Sequence, residues 1–509
     1  MKQEYAYELW NTHIEKWITF LQNAKDLSEE DGDRVRLHRQ LKTLHDVKYG
    51  VVASPSLFYA FIHPEGIRHK EKKDLDHFYN ESLNPKQRKA VNTALHTDNV
   101  SIIQGPPGTG KTTVITEICM QILLGSPDSR ILICSETHVA VNNVLEKLYE
   151  KLTNFNAIRI KNKEVDAAQE IEESSVDTYL EEYYTELLNH NIQTEVVTAL
   201  KDVFSKKRFQ NQLEKSLLLS KRVVGITCNG IGAYNFTPED IKFDYVIIDE
   251  VCKATLPEIL MPMSIARKAI LVGDPKQLPP LFCKEDAELM KETNTLEIQK
   301  YTYIDNLFNR IPTDLKETLN KQFRMKDEIG QIVSDCFYKE EGGLEHGRQI
   351  KDPGCVVWAN YRSKNKWPVE EGTKIYNYDE IDIVKDILMI ESEKTGDEKQ
   401  EVAVISPYRP MIGRLRKAIR NLNLRNLNIQ VDTVDAFQGK DADIVIFCIT
   451  RNSGTMRFFS DYRRLNVAIS RAKNKLWIIG DASYTNKSPI LRKVKKYMNE
   501  QLFVLNDSV

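Results

Sequence analysis

Residues 105–112 read Gly105-Pro106-Pro107-Gly108-Thr109-Gly110-Lys111-Thr112. An apolar run, Val100–Ile103, precedes them, and a helical pattern, Thr113–Leu124, follows. A glycine-rich turn ending in Lys-Thr between a strand and a helix is the setting of a Walker A phosphate loop. Its glycines let backbone N–H groups turn inward on phosphate oxygens. The helix N-terminus adds about half a positive charge. In this reading Lys111 reaches the β- and γ-phosphates, and the Thr112 hydroxyl ligates Mg2+. A chain carrying this loop is committed to an α/β sheet with the loop at a strand's carboxyl end.

The rest of the chain agrees with that commitment. Short apolar runs recur, each followed by a helical stretch: Ile131–Cys134, Val223–Ile226, Tyr245–Ile248 and Ala269–Val272. A second set comprises Val402–Ile405, Ile444–Ile449 and Leu476–Ile479. Continuous apolar strands alternating with helices predict parallel sheets covered on both faces. Two sets predict two such domains, with a break near 310–317. Asp249-Glu250 follows Tyr245–Ile248 about 140 residues after the loop, where a Walker B acid belongs. Asp249 is expected to hold Mg2+ and Glu250 to polarise the attacking water.

Before this region, Ala6, Trp10, Ile14 (or His13), Trp17, Leu21 and Ala24 recur every three or four places. They predict a helix with one apolar stripe, used for packing. A second helical stretch covers Val35–Leu44. Leu57–Ile62, bracketed by Pro55 and Pro64, is expected to be a strand or loop.

Charge enters next. The 509 residues carry 71 Lys plus Arg against 73 Asp plus Glu, for a net charge of −2. This excludes a globally basic polyanion binder, but not a local basic surface, because association depends on where charge sits. The sum is a cancellation. Residues 164–186 hold nine acids and no Lys or Arg, whereas 451–509 hold twelve bases against four acids. The acidic stretch and a basic one at 201–222 read as a helical insertion. The favoured reading is a solvated hairpin whose two arms attract each other. The cluster Arg492–Lys496 reads as a solvated helix face. Eight scattered cysteines without a CxxC pair argue against a zinc ribbon and suggest a reducing setting. No apolar run is long enough to span a bilayer, and MKQEYAYELW, with early acids and no clean apolar stretch, is not expected to act as a signal peptide. The expected setting is therefore intracellular, with cytoplasm and nucleus both open.

Further motifs carry a resemblance. Gly273-Asp274-Pro275-Lys276-Gln277-Leu278-Pro279-Pro280 follows a strand, and Gln277 there is able to sense a γ-phosphate. Gln322-Phe323-Arg324-Met325, Val434-Asp435-Ala436-Phe437-Gln438-Gly439-Lys440 and Arg463-Arg464-Leu465-Asn466-Val467-Ala468-Ile469-Ser470-Arg471-Ala472-Lys473 follow in order. Together with the loop and the acid pair, these resemble superfamily 1B helicases. That group includes the nonsense-mediated-decay helicase, senataxin, the immunoglobulin-mu-binding helicase and Dna-two-type proteins. The resemblance spans roughly residues 83–485.

It implies two tandem RecA-like P-loop domains with an N-terminal helical stalk and a helical insertion. The expected boundaries are 1–82 for the stalk and a short accessory region, 83–312 for the first domain (insertion about 161–221) and 313–509 for the second. It implies ATP and Mg2+ as cofactors and single-stranded RNA or DNA as the partner. It also implies a 5′-to-3′ translocase that hydrolyses ATP between the two domains. The nucleotide set is Gln87, residues Gly105 to Thr113 including Thr113 itself, Phe323, Gly439 and Asp441. Gln87 contacts adenine and Phe323 stacks on it. Lys111, Asp249, Glu250, Gln277, Arg324 and Arg471 form the catalytic set, and Thr112 and Asp249 the metal set. An arginine reaching the γ-phosphate from the second domain stabilises transition-state charge. The nucleic-acid set is Ser135, Thr137, His138, Val139, Asn142, Thr227, Cys228, Pro407, Tyr408, Arg409 and Thr433. Most of these lie just after strands, where open α/β sheets take ligands.

The chain departs from the family pattern at three points. Lys253 stands where the family has Gln, Leu256 where it has Glu, and Asp441 where it has Glu. Residues 47–82 are too few for the accessory β-barrel of larger members. The short N-terminus motivates an alternative, an ATP-gated clamp that remodels ribonucleoprotein without processive unwinding. Regulatory partners are expected at the N-terminal region or at 161–221, with a monomeric chain and no membrane association.

Overall fold

The computed structural model describes residues 2–64, 75–152, 157–160, 185–186, 189, 193–204, 215–216, 218–232, 242–300, 303–312, 315–363, 365, 367, 375–396, 398–437 and 439–504. Most of the 161–221 insertion lies outside the described residues. The chain divides into two compact units. The first comprises residues 1–105, 110–275 and 279–319; the second comprises 106–109, 276–278 and 320–509.

The first unit is built on a parallel sheet of β1 (Val100–Gln104), β2 (Ile131–Ser135), β3 (Ala157–Arg159), β4 (Val223–Thr227), β5 (Phe243–Asp249), β6 (Ala266–Gly273) and β7 (Lys316–Thr318). Their order is β3-β4-β2-β5-β6-β1-β7. Every residue of β1, β2 and β4 is buried, as expected when helices cover both faces. Because the strands are parallel, their carboxyl ends share one edge. The register aligns that edge: Ser135 pairs with Thr227 on one side and Asp249 on the other, and Gln104 pairs with Gly273. The phosphate loop, the acid pair and the hydroxyl-rich turns therefore all leave the sheet on the same side.

The N-terminal helices belong to this unit's core. In α1 (Lys2–Leu27), Trp10, Ile14, Trp17 and Leu21 form a buried stripe. Burying each such side chain contributes about 1.5–3 kcal/mol. Trp10 meets Phe61 edge-on at 5.8 Å, and Trp17 lies 6.1 Å from the ring of Phe282. Helix α2 (Asp31–Lys48) packs on the helix Leu256–Met263. A hydrogen-bond relay joins them: Gln40 donates to Asn229, Asn229 to Glu258, and Glu258 accepts from both the backbone N–H and the hydroxyl of Thr255.

Residues Leu57–Ile62, expected as strand or loop, are instead the body of helix α3 (Pro55–Ile62). Ser54 accepts from Leu57 N at 3.3 Å and Pro55 fills the first helical turn. A hydroxyl cap followed by Pro starts a helix whatever the periodicity downstream. Helix α4 (Pro85–His96) begins with a full capping box between Asn84 and Gln87. Helix α5 (Lys111–Gly125) follows the phosphate loop and α6 (His138–Lys151) follows β2.

In the second unit a parallel pair, β8 (Lys321–Gln322) and β9 (Glu345–His346), stands apart from the main sheet. That sheet contains β10 (Val356–Tyr361), β11 (Gln400–Ile405), β12 (Leu427–Asp432), β13 (Ala442–Cys448), β14 (Ala472–Ile479) and β15 (Asn499–Phe503). They lie in the order β12-β11-β13-β14-β10-β15, again parallel. Alternate residues of β11 feed opposite cores: Val402 and Val404 one, Ala403 and Ile405 the other. The edge strands, β12 alternating apolar and polar residues and β15 mostly polar, are partly exposed, so no unbroken apolar run marks them. Among the described residues no helix is long and apolar enough to cross a membrane. The fold class is two tandem RecA-like α/β units, as the sequence implied.

Candidate nucleotide and nucleic-acid sites

The phosphate loop leaves β1 at Gly105, whose N–H donates to Gly273 O at 2.9 Å. Thr109 closes the turn by donating its hydroxyl to Pro106 O at 2.7 Å. Gly108 and Gly110 sit at φ 74 and 85, in the left-handed region open to glycine. Gly110 is also the N-cap of α5, and a Cβ on it would stand 2.7 Å from the amide nitrogen of Gln87. Gly110→Ala should therefore incur a double cost: about 1–2 kcal/mol for the left-handed backbone, plus displacement of Gln87. We expect a fall in Tm and at least tenfold weaker binding of a fluorescent ATP analogue. Unchanged affinity would separate Gly110 from the nucleotide.

Lys111 folds back over this loop. Its Nζ donates to Gly105 O at 3.1 Å and pairs with Glu250 Oε1 at 3.3 Å. Burial alone would lower the ammonium's pKa, but Glu250, Asp249 and Asp274 outweigh burial and hold it above its ordinary value. Asp249 closes β5 and is buried. Burial first, then the neighbouring Glu250, pushes its carboxyl up to about 7, against the pull of Lys111 and of the Glu250 N–H bonded to it at 2.8 Å. Glu250 itself lies at φ 53, a strained backbone for a non-glycine residue and of the kind found at functional sites. Thr112 and Thr113 occupy the first turn of α5, where Thr113 Oγ1 accepts from Lys147 at 3.3 Å. The donor chemistry suits Mg2+. A hydroxyl and a carboxylate are hard oxygens, and this ion characteristically uses few protein ligands alongside phosphate oxygens. Gln87 is buried, its Oε1 accepting from Asn84 N at 3.0 Å.

The first unit's proposed strand contacts divide into two groups. Ser135 ends β2, Thr137 caps α6 by accepting from Ala140 N, and Val139 is 46 % exposed. Thr227 caps the short turn Cys228–Ile231 by accepting from Gly230 N. Ser135, Asn142 and Cys228, however, are buried, at 5 % exposure or less. Asn142 accepts from the buried Arg159 at 2.7 Å, and the same guanidinium lies 2.6 Å from His138 Nδ1. Burial and then Arg159's charge lower the His138 pKa. Cys228 is buried with its thiol against Cys134. Sequence reasoning missed Arg159; an arginine ending a short apolar strand was the available signal. It flagged Lys253 without a partner, and here Lys253 pairs with Glu136 at 2.9 Å, inside the turn after β2.

In the second unit Arg471 is buried. Its Nε donates to Val467 O at 3.1 Å, Nη1 to Lys440 O at 3.0 Å and Nη2 to Gln277 Oε1 at 3.4 Å. Arg324 donates to Ser470 O at 3.2 Å and pairs with Asp441 at 3.2 Å. Both arginines, Gln277 and Asp441 thus gather around the segment 466–471, where Asn466 donates to Lys276 O at 2.8 Å. Phe323 is 46 % exposed, so it is not a core aromatic, and its N–H donates to Gly108 O at 2.9 Å. Gly439 sits at φ 85. Thr433 donates its N–H to Asp432 at 2.8 Å, Arg409 is exposed, and Pro407 and Tyr408 are half-buried at the end of β11.

A Walker loop and acid pair on one parallel sheet, and a segment gathering two arginines on a second, define a tandem α/β P-loop protein. Two AAA domain models match the chain, one over residues 82–211 and 204–285, the other over 303–483. DNA polymerase alpha-associated DNA helicase A of Saccharomyces cerevisiae is 29% identical over 469 residues, 80% of this chain and 66% of that protein. The DNA replication ATP-dependent helicase/nuclease DNA2 of Gallus gallus is 27% identical, over 83% of this chain and 39% of its own length. DNA-binding protein SMUBP-2 of Rattus norvegicus is 27% identical, over 83% and 45%. The chain thus spans between 39% and 66% of the length of these relatives. In its two AAA domain matches and in these relatives the chain is similar to the superfamily 1B helicases.

Proposed function

We propose that the chain is an ATP-driven translocase that moves 5′-to-3′ on single-stranded RNA or DNA. The observation that carries this reading is the meeting of Lys111, Asp249 and Glu250 at the carboxyl edge of the first sheet. In this reading the phosphate loop and Lys111 bind the β- and γ-phosphates, Gln87 takes the adenine and Phe323 stacks on it. Thr112 and Asp249 would hold Mg2+, which when bound neutralises charge on the phosphates. Glu250 orients and deprotonates the attacking water. Arg324 and Arg471 neutralise charge developing on the γ-phosphoryl oxygens, and Gln277, bonded to Arg471, senses whether that phosphate is present. Ser135, Thr137, Thr227, Pro407, Tyr408 and Arg409 hold the strand through its backbone, a mode that reads no sequence.

The test has two stages. ATP turnover is compared with and without matched single strands of RNA and DNA, then unwinding is followed on duplexes with 5′ or 3′ tails. We expect stimulation by at least one strand type and unwinding of the 5′-tailed duplex alone. An ATPase indifferent to both strands would overturn the reading. Stimulation without unwinding would reduce it to an ATP-gated clamp.

A further inference from the structure

Thr450 is β-branched yet sits at φ 72, where such a residue is a true outlier. Three buried groups hold it there. Its N–H donates to Glu380 Oε2 at 2.8 Å, its carbonyl accepts from Asn377 at 3.0 Å, and its hydroxyl lies 3.0 Å from that of Ser406. Glu380 also accepts from the Tyr361 hydroxyl at 3.1 Å, and Asn377 donates to the same hydroxyl at 2.8 Å. Glu380, Asn377, Ser406 and Thr450 are all fully buried. Two residues on, Asn452 exchanges hydrogen bonds with Trp367, accepting from its N–H at 2.6 Å and donating to its carbonyl at 3.0 Å.

The backbone is thus pinned on both sides of Arg451, a half-buried residue just beyond β13. Its Nε donates to the Tyr408 hydroxyl at 3.0 Å, with the guanidinium carbon 5.6 Å from that ring's centre. Tyr408 lies just beyond β11, the strand adjacent to β13, and its N–H donates to Ser406. Among the described residues no carboxylate pairs with Arg451. Burial foremost pushes Glu380's carboxyl up to about 8, so Glu380 is a weak counter-charge near neutrality. A guanidinium uses one donor on the tyrosine and keeps a planar fork for a bidentate acceptor such as phosphate. The place is the carboxyl edge of a parallel sheet, where open α/β folds bind ligands. Fixed backbone strain at such a place points to a role beyond packing.

We infer that Arg451 is a nucleic-acid phosphate contact of the second unit, shared with Tyr408, and that Glu380 is its positioning residue, acting through Thr450. This rests on the proposed nucleic-acid reading. Sequence reasoning named Tyr408 but not Arg451, because no motif includes it.

The experiment measures the affinity of the full chain for a fluorescent single-stranded 20-mer across a KCl series. It compares the parent with Arg451→Ala, Arg451→Lys, Glu380→Gln and the double variant Arg451→Ala/Glu380→Gln. Far-UV circular dichroism reports folding. We expect Arg451→Ala to weaken binding about tenfold or more and to reduce the salt slope by about one. Arg451→Lys should recover the slope but only part of the affinity. Glu380→Gln should weaken binding several-fold, and the double variant should be no weaker than Arg451→Ala alone. Should Glu380→Gln fail to fold, Thr450→Ala replaces it with the same expectation. An Arg451→Ala variant matching the parent in affinity and slope overturns the phosphate contact, and additive losses in the double variant overturn the positioning role. A parent chain that binds no strand of RNA or DNA refutes the underlying reading instead.

Discussion

Lys111→Ala should reduce ATP turnover by at least ~10³, to the background of a phosphate-release assay. The size follows from charge. In the folded chain the Lys111 ammonium faces Glu250, Asp249 and Asp274, which together hold its proton against the cost of burial. Without it, three acids remain around a site meant to receive a polyanion. Each uncompensated charge in such surroundings is strongly unfavourable. The alanine variant should therefore lose affinity for ATP as well as rate. Glu250→Gln makes the contrast. It keeps the Lys111 ammonium and most of the side-chain shape, and removes only a carboxylate able to take a proton from water. It should bind a fluorescent ATP analogue within a few-fold of the parent while turnover falls by ~10²–10⁴. Full activity in Lys111→Ala would sink the assignment of the loop. Loss of binding in Glu250→Gln would move Glu250 from proton transfer to holding the site together.

Arg471→Ala should lower turnover by ~10³ or more, the range an arginine contributes to phosphoryl transfer. Arg471 also has structural work. It donates to the carbonyls of Val467 and Lys440 and to the Gln277 amide. Leaving such buried acceptors without a donor costs about 1–3 kcal/mol each. A slow alanine variant with a depressed Tm would thus confound two effects. Arg471→Lys resolves them. It keeps a positive charge and much of the packing but cannot reach three acceptors with one ammonium. We expect its Tm to fall less than that of the alanine variant, with turnover still down at least a hundredfold. A change under tenfold in both variants would overturn the γ-phosphate role and leave Arg471 as a brace for the segment 466–471.

The sequence was most informative where burial is two-sided. β1, β2 and β4 are covered on both faces, so each reads as an unbroken apolar run. β12 and β15 lie at sheet edges, where β12 alternates apolar and polar residues and β15 is mostly polar, so neither shows the unbroken apolar run of a central strand. α3 fails for the opposite reason: it is apolar nearly all round, so it carries no period, and only Ser54-Pro55 betrays a helix start. The candidate site follows a similar rule. Residues tied to a local backbone device, such as the left-handed glycines of the phosphate loop, were legible from spacing. Which way a side chain turns was not. Asn142, inside α6, is claimed by Arg159, which comes from a strand 17 residues further on, and Ser135 at the end of β2 is fully buried. Lys253 stands where the family has Gln, and its partner Glu136, in the turn after β2, could not be read from the motif. Arg451 stood in no motif, and only the strained Thr450 beside it drew notice.

The tryptophan stripe of α1 has a consequence for synthesis on the ribosome. Trp17 finds its partner in Phe282, and Lys16 of the same turn pairs with Glu297, 281 residues later in the chain. At roughly 5–20 residues per second, α1 leaves the exit tunnel about a quarter of a minute to a minute before the surface that covers it has been made. During that interval Trp17 lacks the Phe282 ring that covers it, although Phe61 is already made to meet Trp10. The nascent chain is then a natural client for a chaperone that shields apolar helices, and the first unit should fold as one late event rather than from its N-terminus forward.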